Sequence, residues 1–171
     1  LKAIDEKKKL LTPGMSVIDL GAAPGGWTQY AAERLGKHGR IIALDILPMD
    51  PLPDVKIIEG DFHEQSVLDA LLDATPADGV DLIMSDMAPN MTGHKAIDIP
   101  RAMALTELAF ELAEQVLKPG GSILIKIFHG AGFDELLKTA RKLFKTVIIQ
   151  KPDASRARSK ETYLLAKDYN L

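Results

Sequence analysis

Short apolar runs alternate with helix-patterned stretches along the chain. Leu1 to Leu11 spaces its apolar side chains as an amphipathic helix, stopped by Thr12-Pro13-Gly14. Met15 to Leu20 is a short strand, and Trp27 to Leu35 is the helix after it. Arg40 to Ile46 gives a second strand, followed by a turn rich in proline at Pro48, Pro51 and Pro53. Val55 to Glu59 is the third strand, Gln65 to Asp73 a helix, and Val80 to Ser85 the fourth strand. Pro100 to Leu117 keeps helical spacing through Met103, Leu105, Leu108, Leu112 and Val116, and Lys118-Pro119-Gly120-Gly121 ends it. Ser122 to Phe128, Thr146 to Gln150 and Thr162 to Ala166 complete a set of seven strands, with a helix from Phe133 to Phe144 between the fifth and sixth. Strands that alternate with helices imply βαβ units. The expected fold is an α/β, Rossmann-like, doubly wound domain with a seven-stranded, mostly parallel sheet.

No repeat of 20–50 residues, low-complexity tract or long linker interrupts this pattern, so one domain over residues 1–171 is expected. Apolar residues make up 46% and charged residues 26%, a globular balance that excludes wholesale disorder. There are no cysteines, which excludes disulfide scaffolds, thiolate catalysis and cysteine metal sites. No apolar run is long enough to span a bilayer and no signal peptide pattern opens the chain, so a cytoplasmic protein is expected. The net charge of −3 leaves no overall basic field, and any nucleic-acid contact must come from a local patch.

Sheets of this kind bind ligands beyond the carboxyl ends of their strands. The first strand runs into Gly21-Ala22-Ala23-Pro24-Gly25-Gly26-Trp27, where small residues let a ligand approach the backbone. A dinucleotide fingerprint would place its second glycine where Ala23 stands, which argues against a pyrophosphate and against a nicotinamide oxidoreductase. Asp45 ends the second strand at a spacing suited to two ribose hydroxyls. Asp61, just after the third strand, can take an adenine amino group or simply cap the next helix. Together these positions fit an adenosine without phosphates, and S-adenosylmethionine matches that description better than NAD.

The fourth strand ends in Ser85-Asp86-Met87-Ala88-Pro89-Asn90, which puts Asp86 where a transferred methyl and its acceptor would meet. Enzymes that methylate base nitrogens often end such a tetrad with an aromatic residue. Asn90 cannot stack on a base, which disfavours that acceptor. Lys126 interrupts the otherwise apolar Ile123-Leu124-Ile125-Lys126-Ile127-Phe128, and a central strand rarely buries a lysine without a partner. Glu161, just before the last strand, is a candidate partner. His38, His63, His94 and His129 lack ligand-like spacing, so no metal site is expected. Lys151, Arg156, Arg158 and Lys160 set four cations against the single carboxylate of Asp153, a local patch able to hold RNA phosphates.

Asp19 to Tyr30 (DLGAAPGGWTQY), Ser85 to Gly93 (SDMAPNMTG), Asp98 to Met103 (DIPRAM) and Lys151 to Glu161 (KPDASRARSKE) resemble the RrmJ/FtsJ (RlmE) family of S-adenosylmethionine-dependent ribosomal RNA 2′-O-ribose methyltransferases. The likeness runs from Leu1 to about Tyr163 with the motifs in family order. It implies methylation of a uridine in the A-loop of 23S ribosomal RNA, within the large ribosomal subunit. It also implies that Gly21, Gly25 and Trp27 line the methionine part of the cofactor pocket, Asp45 the ribose and Asp61 the adenine. Asp86 would face the methyl donor as both a cofactor-binding and a catalytic residue. Lys126 would be the central catalytic residue, flanked by Asp86 and Glu161. The family tetrad is Lys-Asp-Lys-Glu, and Leu1 resembles the leucine that follows its first lysine, which would then fall immediately ahead of Leu1. The family's basic N-terminal extension is expected to have no counterpart in these 171 residues. A monomer that needs neither metal nor membrane is expected.

In such a site a neutral Lys126 would accept the 2′-hydroxyl proton, or a charged Lys126 would stabilise the developing alkoxide. The alternative to an enzyme is a non-catalytic RNA-binding or ribosome-assembly module with a vestigial cofactor pocket.

Overall fold

The computed structural model describes residues 1–87, 92–128, 130, 132–150 and 162–169. In chain order its elements are α1 (Lys2–Lys8), β1 (Ser16–Leu20), α2 (Gly26–Leu35), β2 (Arg40–Asp45), β3 (Val55–Glu59), α3 (Gln65–Ala74) and β4 (Val80–Ser85). They continue with α4 (Lys95–Val116), β5 (Leu117–Ile127), α5 (Phe133–Leu143), β6 (Phe144–Gln150) and β7 (Thr162–Tyr169).

Among the described residues the strands form one sheet in the order β3-β2-β1-β4-β5-β7-β6. The first five pair in parallel, and β7 runs antiparallel to both β5 and β6. All of β1 is buried because both sheet faces are covered, which is why its sequence reads as a continuous apolar run rather than an alternation. Strand parity sorts the aliphatic side chains. Ile18, Leu20, Ile42, Leu44, Ile83, Ile123 and Ile125 pack under α3, α4 and α5, with Leu71, Phe110 and Leu136. Val17, Ile41, Leu82, Met84 and Leu124 pack under α1 and α2, with Ile4, Ala31 and Leu35. No helix of the described residues is long and apolar enough to cross a membrane.

Several boundaries differ from the sequence expectation by a few residues, and three of these differences have a clear local reason. The helix expected over Leu1 to Leu11 ends at Lys8, because Lys9 turns left-handed (φ 51°) and its N–H donates to the Asp5 carbonyl. Leu10 and Leu11, beyond the helix, remain buried. Helix α4 begins at Lys95 rather than Pro100, which stands inside it. Asp98 secures that added turn, since its carboxylate accepts from the Thr92 N–H and hydroxyl (both 2.9 Å) and the Gly93 N–H (3.1 Å). Lys118 to Gly121 do not form a separate turn but an irregular start to β5, where pairing steps from Val80–Leu117 to Leu82–Ser122.

Candidate active site

The β4–β5 register fixes the centre of the site. Ser85 lies opposite Ile125, so Asp86, one residue past β4, comes beside Lys126. The Lys126 ammonium nitrogen stands 3.3 Å from Asp86 Oδ1, with 15% of the lysine side chain exposed. The lysine that interrupts an apolar strand is therefore largely buried and ion-paired. Tyr163, directly across from Lys126 on β7, donates its hydroxyl to the same oxygen at 3.4 Å.

A cleft of about 640 Å³ opens over the carboxyl ends of β1 to β4. Gly21, Asp45, Asp61 and Asp86 all line it, together with Leu47, Phe62 and Leu105. The small residues after β1 matter for close packing here. Gly21 has φ +73°, and a Cβ there would stand 2.7 Å from the Met87 side chain. Asp45 organises two loops, accepting the Ala23 N–H at 2.8 Å and the Leu47 N–H at 2.9 Å. Asp61 accepts the His63 N–H at 2.9 Å and faces its Nδ1 at 2.8 Å. These bonds, the backbone one foremost, hold the Asp61 carboxyl below its ordinary range.

Gly25 and Trp27 lie at the start of α2, which follows β1. Gly25 caps α2 with φ 119°, and the methyls of Met49 and Leu52 close over it. Trp27 packs against the Tyr163 ring, 5.7 Å between centroids, and that tyrosine donates to Asp86. Glu161, the patch at Lys151, Arg156, Arg158 and Lys160, and Asn90 lie outside the described residues.

Several neighbours of the site carried no role in the sequence reading. His63 lines the cleft beside Asp61, and Arg101 of α4 stands on its lip. Asp19 is fully buried on the sheet face of α2; Oδ2 accepts the Thr28 hydroxyl at 2.6 Å, while Oδ1 is buried with no hydrogen-bond partner. Burial foremost, and the negative charges of Asp86 and Asp45, push its carboxyl up to about 7 against the lowering effect of Thr28. The signal that marked Lys126, a charge within an apolar strand, was present at Asp19 too.

The whole-chain comparisons agree with one another. A model of the FtsJ-like methyltransferase family matches residues 1–169. The ribosomal RNA large subunit methyltransferase E of Legionella pneumophila (strain Corby) is 65% identical over 171 residues, which is 100% of this chain and 83% of that protein. The protein of the same description from Hydrogenovibrio crunogenus is 58% identical over 167 residues, 98% of this chain and 81% of its own. Among solved structures, a putative ribosomal RNA methyltransferase of Plasmodium falciparum superposes with a TM-score of 0.85 at 28% identity, covering 97% of this chain and 92% of that one. Aeropyrum pernix fibrillarin, solved with S-adenosyl-L-methionine, shares the fold at a TM-score of 0.64 and 15% identity, over 92% of this chain and 68% of its own. With sheet order, cleft and whole-chain similarity in accord, the chain belongs to the FtsJ-like methyltransferase family.

Proposed function

We propose that this protein transfers a methyl group from S-adenosylmethionine to the 2′-oxygen of a uridine in the A-loop of 23S ribosomal RNA. The observation that carries the reading is the Lys126–Asp86 pair, 3.3 Å apart, at the edge of a cleft suited to an adenosine without phosphates. The names of the relatives support ribosomal RNA of the large subunit as the substrate class. The donor set fits the cofactor: the carboxylates of Asp45, Asp61 and Asp86 suit a ligand of net positive charge with ribose hydroxyls and an adenine amine, and Phe62, Leu47 and Leu105 offer apolar surface to a ring. Asp45 would hold the ribose, Asp61 the adenine, and Gly21 would permit close approach of the methionine part. Gly25 and Trp27 would line the same methionine part.

When bound, the cofactor supplies an electrophilic sulfonium methyl. The protein's part is to align the acceptor and handle one proton. Holding a 2′-oxygen about 3 Å from the methyl carbon, in line with the departing sulfur, contributes several kcal/mol. Asp86, gripped by Lys126 and Tyr163, fixes the lysine amine beside the acceptor position. Lys126, once it has released its own ammonium proton to solvent, takes the hydroxyl proton, assisted by Asp86 and Glu161. The cations Lys151, Arg156, Arg158 and Lys160 hold RNA phosphates.

The test is methyl-labelled S-adenosylmethionine with unmethylated large ribosomal subunits and the full-length protein, followed by alkaline hydrolysis of the RNA. A 2′-O-methyl group blocks cleavage at its own phosphodiester, so label in one alkali-resistant dinucleotide is expected. Lys126→Ala should slow transfer by about a hundredfold or more with RNA binding retained. Label in mononucleotides would mean base methylation and overturn the role of Lys126. Bound cofactor and RNA without transfer would identify a binding module instead.

A further inference from the structure

We propose that Arg101 anchors a phosphate of the acceptor RNA at the lip of the cleft, an assignment that rests on the RNA-methylation reading above. Helix α4 carries Arg101 to the cleft, with Ala104 and Leu105 one turn further along. The charges around the cavity are unequal. Asp45, Asp61 and Asp86 are acidic, whereas Arg101 is the one arginine or lysine among the described lining residues. S-adenosylmethionine carries an ammonium and a sulfonium against one carboxylate, so the acidic set already complements it. A guanidinium at the same cavity calls for a second, anionic ligand. The acceptor strand supplies one phosphate per nucleotide.

Arg101 is available for that contact. Its side chain is exposed, and no carboxylate of the described residues lies within 4 Å of it. Asp98, three residues earlier, is held below the ordinary carboxylate range by the Thr92 N–H foremost and by the nearby Arg101 charge in smaller part, but its oxygens are engaged by the Thr92 N–H and hydroxyl and the Gly93 N–H. Asp98 therefore biases the guanidinium without capturing its donors. Lys95, also exposed, stands at the same end of α4 and adds a positive charge there. The planar fork of an arginine matches two phosphate oxygens at once, which a lysine cannot do.

The experiment compares Arg101→Ala and Arg101→Lys with the parent in the full-length protein. Three quantities are read: S-adenosylmethionine Kd, KM for unmethylated large subunits, and the salt dependence of RNA binding. For Arg101→Ala the expected result is an RNA KM raised about tenfold, an unchanged cofactor Kd, and a log–log salt slope reduced by about 0.7–0.9. Arg101→Lys should restore the slope but only part of the KM. An unchanged RNA KM and slope would overturn the assignment. So would a loss confined to cofactor Kd, which would place Arg101 on the cofactor's carboxylate. If the parent bound RNA but methylated none, the methylation reading would fall, while the salt slope would still decide whether Arg101 meets a phosphate. Arg101 is exposed, so the melting temperature should stay close to the parent's and exclude misfolding as the cause.

Discussion

Asp19→Asn should make the protein more stable at alkaline pH and change how its stability depends on pH. The parent carboxyl is fully buried, has one oxygen without a partner, and ionises only near 7 in place of the ordinary 3.8. Because the folded pKa lies above the unfolded one, the folded state binds the extra proton throughout that interval. The stability this confers is complete below about pH 4 and is lost as pH rises through about 7. The whole interval corresponds to about 4 kcal/mol, of which about 3 kcal/mol falls between pH 5 and pH 8. Asparagine keeps an acceptor for the Thr28 hydroxyl and never ionises. It also places an amide donor where Oδ1 has no partner, a cost of about 1–3 kcal/mol that does not vary with pH.

The assay is thermal unfolding of parent and variant at four pH values from 5 to 8 and constant ionic strength. The difference in melting temperature, variant minus parent, should grow with pH by about 6–12 °C, given about 2–4 °C per kcal/mol at this chain length. The fixed amide cost moves the whole difference curve up or down but leaves its slope alone. Parallel melting curves across this range would refute the argument, since they would mean that Asp19 is ionised at pH 5 or that folding does not desolvate it.

Asp5 accepts the Leu11 N–H at 2.8 Å and the Tyr30 hydroxyl at 2.7 Å, with Arg34 Nε at 3.4 Å, and so ties α1 to α2. Asp5→Ala should lower the unfolding free energy by about 2–4 kcal/mol in urea titration, because two donors lose a buried acceptor. In the same variant the ultraviolet titration of Tyr30, pushed up to about 12 chiefly by its bond to Asp5, should return towards 10; a tyrosine that still titrates late would show another cause. Gly21→Ala should cost about 1–3 kcal/mol from its positive φ. It should also slow methyl transfer by displacing Met87 beside Asp86, and a Met87→Ala change in the same chain should recover part of the rate.

The elements were legible because aliphatic runs and turn residues report local structure, whereas strand order depends on contacts between distant segments. Nothing in Thr162 to Tyr169 announces that β7 inserts between β5 and β6 and runs antiparallel to both. Pro100 was misleading as a helix start because proline is usually placed at the first helical position, and only the Asp98 cap explains why α4 begins earlier. At the site, Asp45, Asp61 and Asp86 could be located because each ends a strand or follows one within two residues. Trp27 could not be assigned from spacing alone. Its ring is turned onto Tyr163, a residue 136 positions later in the chain, by the folding of β7 against β5.

Asp19 and Lys126 sit on the same sheet face, near the carboxyl ends of β1 and β5, where Val17 and Leu124 one step earlier are part of the core. A sheet built only for stability would continue those aliphatic runs, since burying a carboxyl and an ammonium costs several kcal/mol before any pairing. Pairing returns part of that cost at Lys126, through Asp86, but at Asp19 one oxygen remains without a partner and the group resists ionisation until about pH 7. The sheet therefore gives up stability at its carboxyl edge, on the strands that border the cleft, where the methyl-transfer reading places the chemistry. If that concession serves the reaction, Asp19→Asn should gain stability at pH 8 and lose transfer rate at the same pH. A variant both more stable and equally fast would show that the buried charge has no part in the reaction.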